Sequence, residues 1–182
     1  MTGKAELRRL RAAQRRSMSE SARTEARLAI CATVLAWCRT HLTQPGIRVA
    51  AYEPLRTEPG SLGLLFELHQ AGYQVIVPVI RPDRDLDWAA WRPPGQTGPA
   101  LGRHAVGTSG LILVPAFAAD RSGRRLGRGG GSYDRALSRV PQGTAVVALL
   151  FDDEVADQVP VDEWDRPVTA FVTPAGWTDV DA

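Results

Sequence analysis

The chain has 182 residues, a formal net charge of +2, 44% hydrophobic residues and 23% charged residues. That length matches one domain with a sizeable core. The near-balanced charge excludes a global polycation of the kind that coats nucleic acid, and no apolar run reaches membrane-spanning length. Lys4 is the sole lysine, so the other 21 of the 22 basic residues are arginines.

In chain order, residues 2–16 predict a first helix, with Leu7, Leu10 and Gln14 on one side and Arg8, Arg11, Arg15 and Arg16 largely elsewhere. The segment 19–40 predicts a second, with Ser19 as N-cap and Ile30, Val34, Trp37 and Cys38 at the spacing of an apolar stripe. Cys31 and Cys38 stand two turns apart on that helix, about 10 Å along its axis, too far for a disulfide. Without a CxxC or a Cys/His cluster, zinc is not expected. Pro45-Gly46 ends the helical region, and "IRVAAY" (47–52) reads as a strand. Pro59–Ala71 reads as a helix closed by Gly72.

Strands are predicted at 73–79 and 86–91, then a Pro/Gly-rich connection at 92–110, then the strand "LILVP" at 111–115. A glycine loop leads into a helix at about 131–139, followed by strand 145–151 and a final apolar run at 168–173. Several of these strands are continuous apolar runs, as when helices cover both faces of a sheet. The expected fold is α/β: one three-layer αβα sandwich over residues 1–182, with a largely parallel central sheet and two N-terminal helices.

The chemistry concentrates in "RRLGRGGGSYDRAL" (124–137), where Gly127, Gly129, Gly130 and Gly131 fall within five positions beside Arg124, Arg125 and Arg128. A glycine-rich turn between a strand and a helix lets backbone N–H groups approach an anion, and guanidinium groups match phosphate oxygens. The P-loop pattern fails for want of a Lys-Ser/Thr pair, and the dinucleotide pattern fails on spacing. Asp134 reads equally as a helix-start acid or as a carboxylate for Mg2+ beside phosphates. Asp162, Glu163 and Asp165 in "VPVDEWDRP" read the same two ways. The first helix, with Lys4, Arg8, Arg9, Arg11, Arg15 and Arg16, reads as a phosphate site, an RNA-contacting surface or a solvated basic face. Aromatic residues do not interleave with its charges, against single-strand nucleic-acid binding.

Four stretches together resemble the 5-formyltetrahydrofolate cyclo-ligase (methenyltetrahydrofolate synthetase) family: "KAELR" at 4–8, "YEPLRTE" at 52–58, "LILVPAFAADRSGRRLGRGGGSYDR" at 111–135 and "VPVDEWDRPVTAFVTP" at 159–174. The resemblance covers essentially the whole chain. It implies an enzyme that uses ATP and Mg2+ to close 5-formyltetrahydrofolate to 5,10-methenyltetrahydrofolate, releasing ADP and phosphate. Lys4, Arg8, Arg125, Leu126, Gly127, Arg128, Gly129, Gly130, Gly131, Ser132 and Tyr133 are then the ATP-binding set, with Lys4 and Arg128 catalytic. Asp134 and Asp165 are the Mg2+ carboxylates, and Tyr52 and Glu58 line the folate pocket. Reduced folate and ATP are the implied partners, with no nucleic acid and no membrane, and a cytoplasmic monomer is expected. The chain departs from the family where Ser132 replaces a frequent tyrosine, where Gly130 replaces an occasional lysine, and at 95–110, which is short and lacks a Glu-Pro-containing segment. That last departure keeps open another nucleotide- or sugar-phosphate-using enzyme on a related scaffold; the basic first helix keeps open a non-enzymatic nucleotide- or nucleic-acid-binding module.

Overall fold

A computed structural model describes residues 3–181; Thr2, the expected first residue of the N-terminal helix, lies outside the described residues, as do Met1 and Ala182. Helices α1 (Lys4–Ser17) and α2 (Glu20–His41) precede strand β1 (Arg48–Ala50), helix α3 (Leu62–Gln70) and strands β2 (Gln74–Ile80), β3 (Leu86–Arg92) and β4 (Gln96–Ala100). A 3-10 helix (Arg103–Thr108) leads into β5 (Ser109–Pro115), the two-residue strands β6 (Ala118–Ala119) and β7 (Arg125–Leu126), and helix α4 (Ser132–Leu137). Strand β8 (Ala145–Leu149), a 3-10 turn (Asp152–Glu154), β9 (Ala170–Thr173) and β10 (Gly176–Asp179) complete the order.

Eight strands form one sheet in the order β10-β9-β8-β5-β1-β2-β3-β4. The five central strands, β9 to β2, run parallel, and antiparallel pairs close both edges: β10 on β9 at one side, β3 and β4 beyond β2 at the other. The expected α/β class with a largely parallel sheet is thus the observed one. Buried side chains fill both faces, as the continuous apolar runs required. Ile30, Val34, Leu64, Leu68, Val49 and Leu113 pack on the face covered by α2 and α3. Ile76, Trp88, Val106, Ile112, Leu137 and Phe171 pack on the other, under the short α4 and the 3-10 helix.

Local chemistry sets the element ends. Ser19 caps α2 by accepting from Ala22 N at 3.1 Å. The third helix starts at Leu62 rather than Pro59, because Ser61 Oγ accepts from Leu64 N at 3.0 Å and supplies the cap. Residues 92–110 are more ordered than their Pro/Gly content predicts: Gln96–Ala100 pairs with β3 as an edge strand, a place where Pro99 is tolerated, and Arg103–Thr108 forms the 3-10 helix. Cys38 is buried and Cys31 half-buried, both as free thiols.

The first helix is anchored differently from its apolar pattern. Leu10 is exposed, whereas Arg15 is 3% exposed and forms a bidentate ion pair with the buried Glu154. Its guanidinium also lies 4.8 Å from the Phe117 ring centroid. Arg23, equally buried, donates to the carbonyls of Arg15 and Met18 at 3.0 Å each and so satisfies the end of α1. The C-terminal edge strand is covered by a stack in which Trp37 lies 4.7 Å from Trp177 and 4.4 Å from His41. Among the described residues, no helix is long and apolar enough to cross a membrane.

The strand order reverses direction at β1, which has β2 on one side and β5 on the other. Open α/β sheets bind ligands at such a switch point, outside the carboxyl ends of the strands. The carboxyl ends of β2 and β5 supply Ile80 and Pro115 to a cavity at this edge of the sheet.

Candidate active site

The cavity encloses about 700 Å³, within the range of small-molecule sites. Its floor is the glycine loop from Arg125 to Asp134. One wall comes from α1 through Lys4 and Arg8, and from the tail loop through Asp162, Trp164, Asp165 and Arg166. The opposite wall is apolar: Pro78, Ile80 and Leu86 of the β2–β3 hairpin. Six basic and three acidic side chains line the space, an excess that favours a polyanionic ligand.

The Asp-x-x-Gly stretch ahead of the loop fixes where the loop begins. Asp120 is 1% exposed; its Oδ1 accepts from Ser122 N and Arg124 N at 3.0 and 3.1 Å, and its Oδ2 from Val159 N at 2.8 Å. Gly123 closes that turn at φ +77°, and a Cβ there would stand 2.5 Å from the Val168 carbonyl, so no other residue fits. The turn aligns β7, whose Arg125 is buried and donates to Asp134 Oδ1 at 2.8 Å and to the Pro115 carbonyl at 3.3 Å.

Past Leu126 the backbone opens to the cavity. Arg8 Nε donates to the Gly127 carbonyl at 2.7 Å, and Gly129, at φ +95°, passes so close that a Cβ would lie 3.3 Å from Arg8 Cζ. Gly131, at φ +66°, caps α4. Arg128 reaches across to Glu58, Nη1 to Oε1 3.3 Å. Ser132 and Tyr133 open the helix beside the cavity, and burial raises the Tyr133 hydroxyl pKa well above the tyrosine norm.

Lys4 Nζ stands 2.7 Å from Asp162 Oδ2 and 2.5 Å from Asp165 Oδ2. Burial is the largest single influence on the ammonium and lowers its pKa, but the hydrogen bonds and charges of the two aspartates outweigh it and leave Lys4 above its ordinary value. Burial likewise pushes Asp165 up, and Lys4 together with the Asp162 N–H holds it below the usual carboxylate value. Asp134 Oδ1 accepts from Arg125 and from Arg166 N. Asp134 Oδ2 and Asp165 Oδ1 take no hydrogen bond among the described residues.

The two aspartates are thus brought to one cavity, but no group of three or more His, Cys, Asp or Glu side chains able to hold a metal occurs among the described residues. One available oxygen on each of two carboxylates suits Mg2+ when phosphates complete its shell, and would not make a cage without them.

The predicted ATP set therefore converges, with Lys4 and Arg8 joining the loop across more than a hundred residues of sequence. The predicted folate pair does not line the same space. Glu58, 5% exposed, touches the cavity only through Arg128, and its Oε2 accepts from Leu55 N at 2.8 Å. Tyr52 lies deeper, its hydroxyl without a partner among the described residues and its pKa raised by burial and by Glu58. The crevice between Tyr52, Gly60 and Leu64 is closed even to water. Sequence reasoning did not single out the apolar wall, Trp164 or Arg135. Trp164, 66% exposed between Glu163 and Asp165, had a visible signal, since a large exposed aromatic side chain in an acidic loop is not there to fill a core.

Comparison with known proteins identifies the family and the fold. The model of the 5-formyltetrahydrofolate cyclo-ligase family matches residues 1–174. A 5-formyltetrahydrofolate cyclo-ligase of Mycolicibacterium smegmatis is 40% identical over 144 residues, covering 71% of this chain and 74% of the relative. That of Escherichia coli is 33% identical over 135 residues, covering 66% and 72%. Among solved structures, a 5,10-methenyltetrahydrofolate synthetase from Mycoplasma pneumoniae superposes with a TM-score of 0.75 at 20% identity, over 94% of this chain and 98% of that one. One from Aquifex aeolicus gives 0.73 at 24% identity, over 98% and 93%. At those identities the superpositions establish the shared fold; the family match along nearly the whole chain establishes more, and the chain belongs to the 5-formyltetrahydrofolate cyclo-ligase family of enzymes.

Proposed function

We propose that this enzyme closes 5-formyltetrahydrofolate to 5,10-methenyltetrahydrofolate with ATP as co-substrate, releasing ADP and phosphate. The observation that carries the reading is the convergence of Lys4, Arg8 and the Arg125–Tyr133 loop on one basic cavity beside the buried carboxylate of Glu58.

A formamide carbonyl is a poor electrophile. Its oxygen attacks the γ-phosphorus of ATP, ADP leaves, and the carbon becomes activated; N10 then attacks that carbon, and the former formyl oxygen departs with the phosphate. No protein nucleophile is needed. The protein aligns three reacting groups and stabilises charge on the moving phosphoryl group. Backbone N–H groups around Gly127, Gly129, Gly130 and Gly131 cradle phosphate oxygens, while Lys4 and Arg8 approach them from α1. Arg128, between loop and Glu58, is placed to follow the phosphoryl group from nucleotide to formyl oxygen, and with Lys4 it is the catalytic pair. Arg125, Leu126, Ser132 and Tyr133 shape the nucleotide side.

Asp134 and Asp165 would hold Mg2+ through their available oxygens, and the ion, when bound, neutralises phosphate charge. Glu58 can accept from the N–H edge of a pterin ring, with Tyr52 behind it. Occupation of that side requires residues 53–60 to shift, because the crevice at Tyr52 is closed.

The test follows absorbance at the methenyl-folate band with protein, 5-formyltetrahydrofolate and Mg2+, with and without ATP. An ATP-dependent rise supports the reading, and its absence from a folded protein that binds ATP overturns the folate half. The short 95–110 segment favours, as second reading, the same nucleotide chemistry on a different acceptor, which that last outcome would support.

A further inference from the structure

Arg135 of helix α4 and Arg139, two residues past its end, both grip the β2–β3 hairpin. Arg135 Nη2 donates to the Arg84 carbonyl at 2.6 Å and to the Gly130 carbonyl at 3.2 Å. Arg139 pairs with both oxygens of Asp85, at 3.0 and 2.6 Å. Asp85 is 4% exposed and also takes Arg103 at 3.0 Å, so this second grip is a buried structural one.

The first grip is of another kind. It lies at the surface and joins two carbonyls, one from the glycine loop that floors the cavity and one from the hairpin that carries its apolar wall. Gly130 is part of the glycine loop. Arg84 sits at the tip of the hairpin whose flanking residues Ile80 and Leu86 form the apolar wall, and it is the one non-glycine residue with positive φ, +62°, among the described residues. A left-handed residue held by a side chain from another element marks a backbone position that its surroundings enforce. The guanidinium is also seated tightly, since a Cβ on Gly131 would come 3.1 Å from Arg135 Nη1.

We propose that Arg135 is a positioning residue: through one guanidinium nitrogen it sets the separation between the phosphate loop and the apolar wall, and hence the alignment of the nucleotide with the second substrate. The proposal rests on the reading of the cavity under Proposed function. Nη2 is spent on the two protein carbonyls, and through it Arg135 acts on the reaction by way of the loop and the apolar wall; separate affinity measurements distinguish that role from a phosphate contact by its other donors. Holding reactants in line is a steep function of distance, and misplacement by about 1 Å costs on the order of 100-fold in rate.

The test compares R135M, R135K and R139M in the full chain. In R135M, amide hydrogen exchange should quicken both at 81–86 and at 127–131 and stay unchanged in β5 and β8. Affinities measured separately for a non-hydrolysable ATP analogue and for 5-formyltetrahydrofolate should change little, while kcat falls about 10- to 100-fold. R135K, able to reach a carbonyl, should recover part of the loss, and R139M should lower Tm without the same fall in kcat. Unchanged exchange in both segments overturns the proposal, as does a kcat loss in R139M equal to that in R135M. A loss confined to nucleotide affinity would make Arg135 a ligand contact and overturn it as well. If the wild-type protein forms no ATP-dependent product, the functional reading fails on its own, and the exchange measurement still decides whether Arg135 joins the loop to the apolar wall.

Discussion

Arg15 of α1 and Glu154, 139 residues later, meet as a buried bidentate pair, with Nε to Oε1 at 2.6 Å and Nη2 to Oε2 at 2.8 Å. Arg15 Nη2 also donates to the Ala116 carbonyl at 2.5 Å, just past β5. The pair therefore ties the last turn of the first helix to the 3-10 turn at Asp152–Glu154 and to the backbone just past β5.

Replacing Arg15 by Met leaves Glu154 buried without its partner. The expected loss is about 3–5 kcal/mol of stability, read from urea unfolding. Replacing both, Arg15→Met with Glu154→Leu, should recover most of it, because the uncompensated charge is then gone. Recovery of stability without recovery of ATP affinity would show that the pair also aims the helix.

Lys4→Ala should reduce kcat/KM for ATP by about 100-fold or more, the scale of losing one preorganised charge at a phosphoryl group. Stability should move by less than about 1 kcal/mol, since the Lys4 ion pairs are partly solvated. Steady-state kinetics at limiting ATP, paired with a melting curve, separates the two effects. Normal turnover would remove α1 from the nucleotide site.

Asp165→Asn should raise the Mg2+ concentration needed for half-maximal rate while the folate KM stays nearly constant. A magnesium titration at saturating ATP reads this directly. An equal rise for Asp162→Asn would show that neutralising either partner of Lys4 suffices, and that Asp165 has no separate role toward the ion.

The attachment of α1 to the tail loop has a defined pH range. Asp165 lies below its ordinary 3.8, so its contribution is present above that value and is lost as pH falls through the lower folded pKa. Lys4 lies above its ordinary 10.5, so its contribution is complete below that value and is lost as pH rises through the higher folded pKa. Protection of the α1 amides from hydrogen exchange, corrected for intrinsic rates, should therefore be flat between about pH 4 and 10 as far as this pair governs it. A step near neutrality would mean that another group controls the attachment.

Gly129→Ala places a side chain at φ +95° with its Cβ 3.3 Å from Arg8 Cζ. The strained backbone should cost about 1 kcal/mol, and displacement of Arg8 should raise the KM for ATP about tenfold. Gly130→Ala, where φ is not positive and the Cβ would meet only Ser132 Oγ at 3.6 Å, is the matched control and should leave both nearly unchanged.

Much of the fold is legible in the sequence. Continuous apolar strands announce a doubly covered parallel sheet, and β1, β2, β5, β8 and β9 follow from it. The glycine loop reads in the sequence as an anion site or as a solvated surface loop, and the structure sets it on the floor of a basic cavity. What could not be read is what depends on distant partners. Strands β6 and β7 are two residues each, too short for any period, and β10 is an edge strand whose Trp177 finds its partner, Trp37, in the distant α2. Arg15 looks like every other arginine of α1, and only Glu154 distinguishes it. Asp120 and Gly123 stand out in the sequence as part of a motif, but their task is to hold a turn against Val159 and Val168, which no local pattern reveals.

The union of Lys4 with Asp162 and Asp165 also bears on how the protein is made. Lys4 is translated 158 and 161 residues ahead of Asp162 and Asp165, so the contact that ties the first helix to the tail loop is among the last that an emerging chain can make. The assembled cavity thus arrives late in synthesis, and a truncated product ending before residue 162 would lack strands β9 and β10 as well as both carboxylate partners of Lys4.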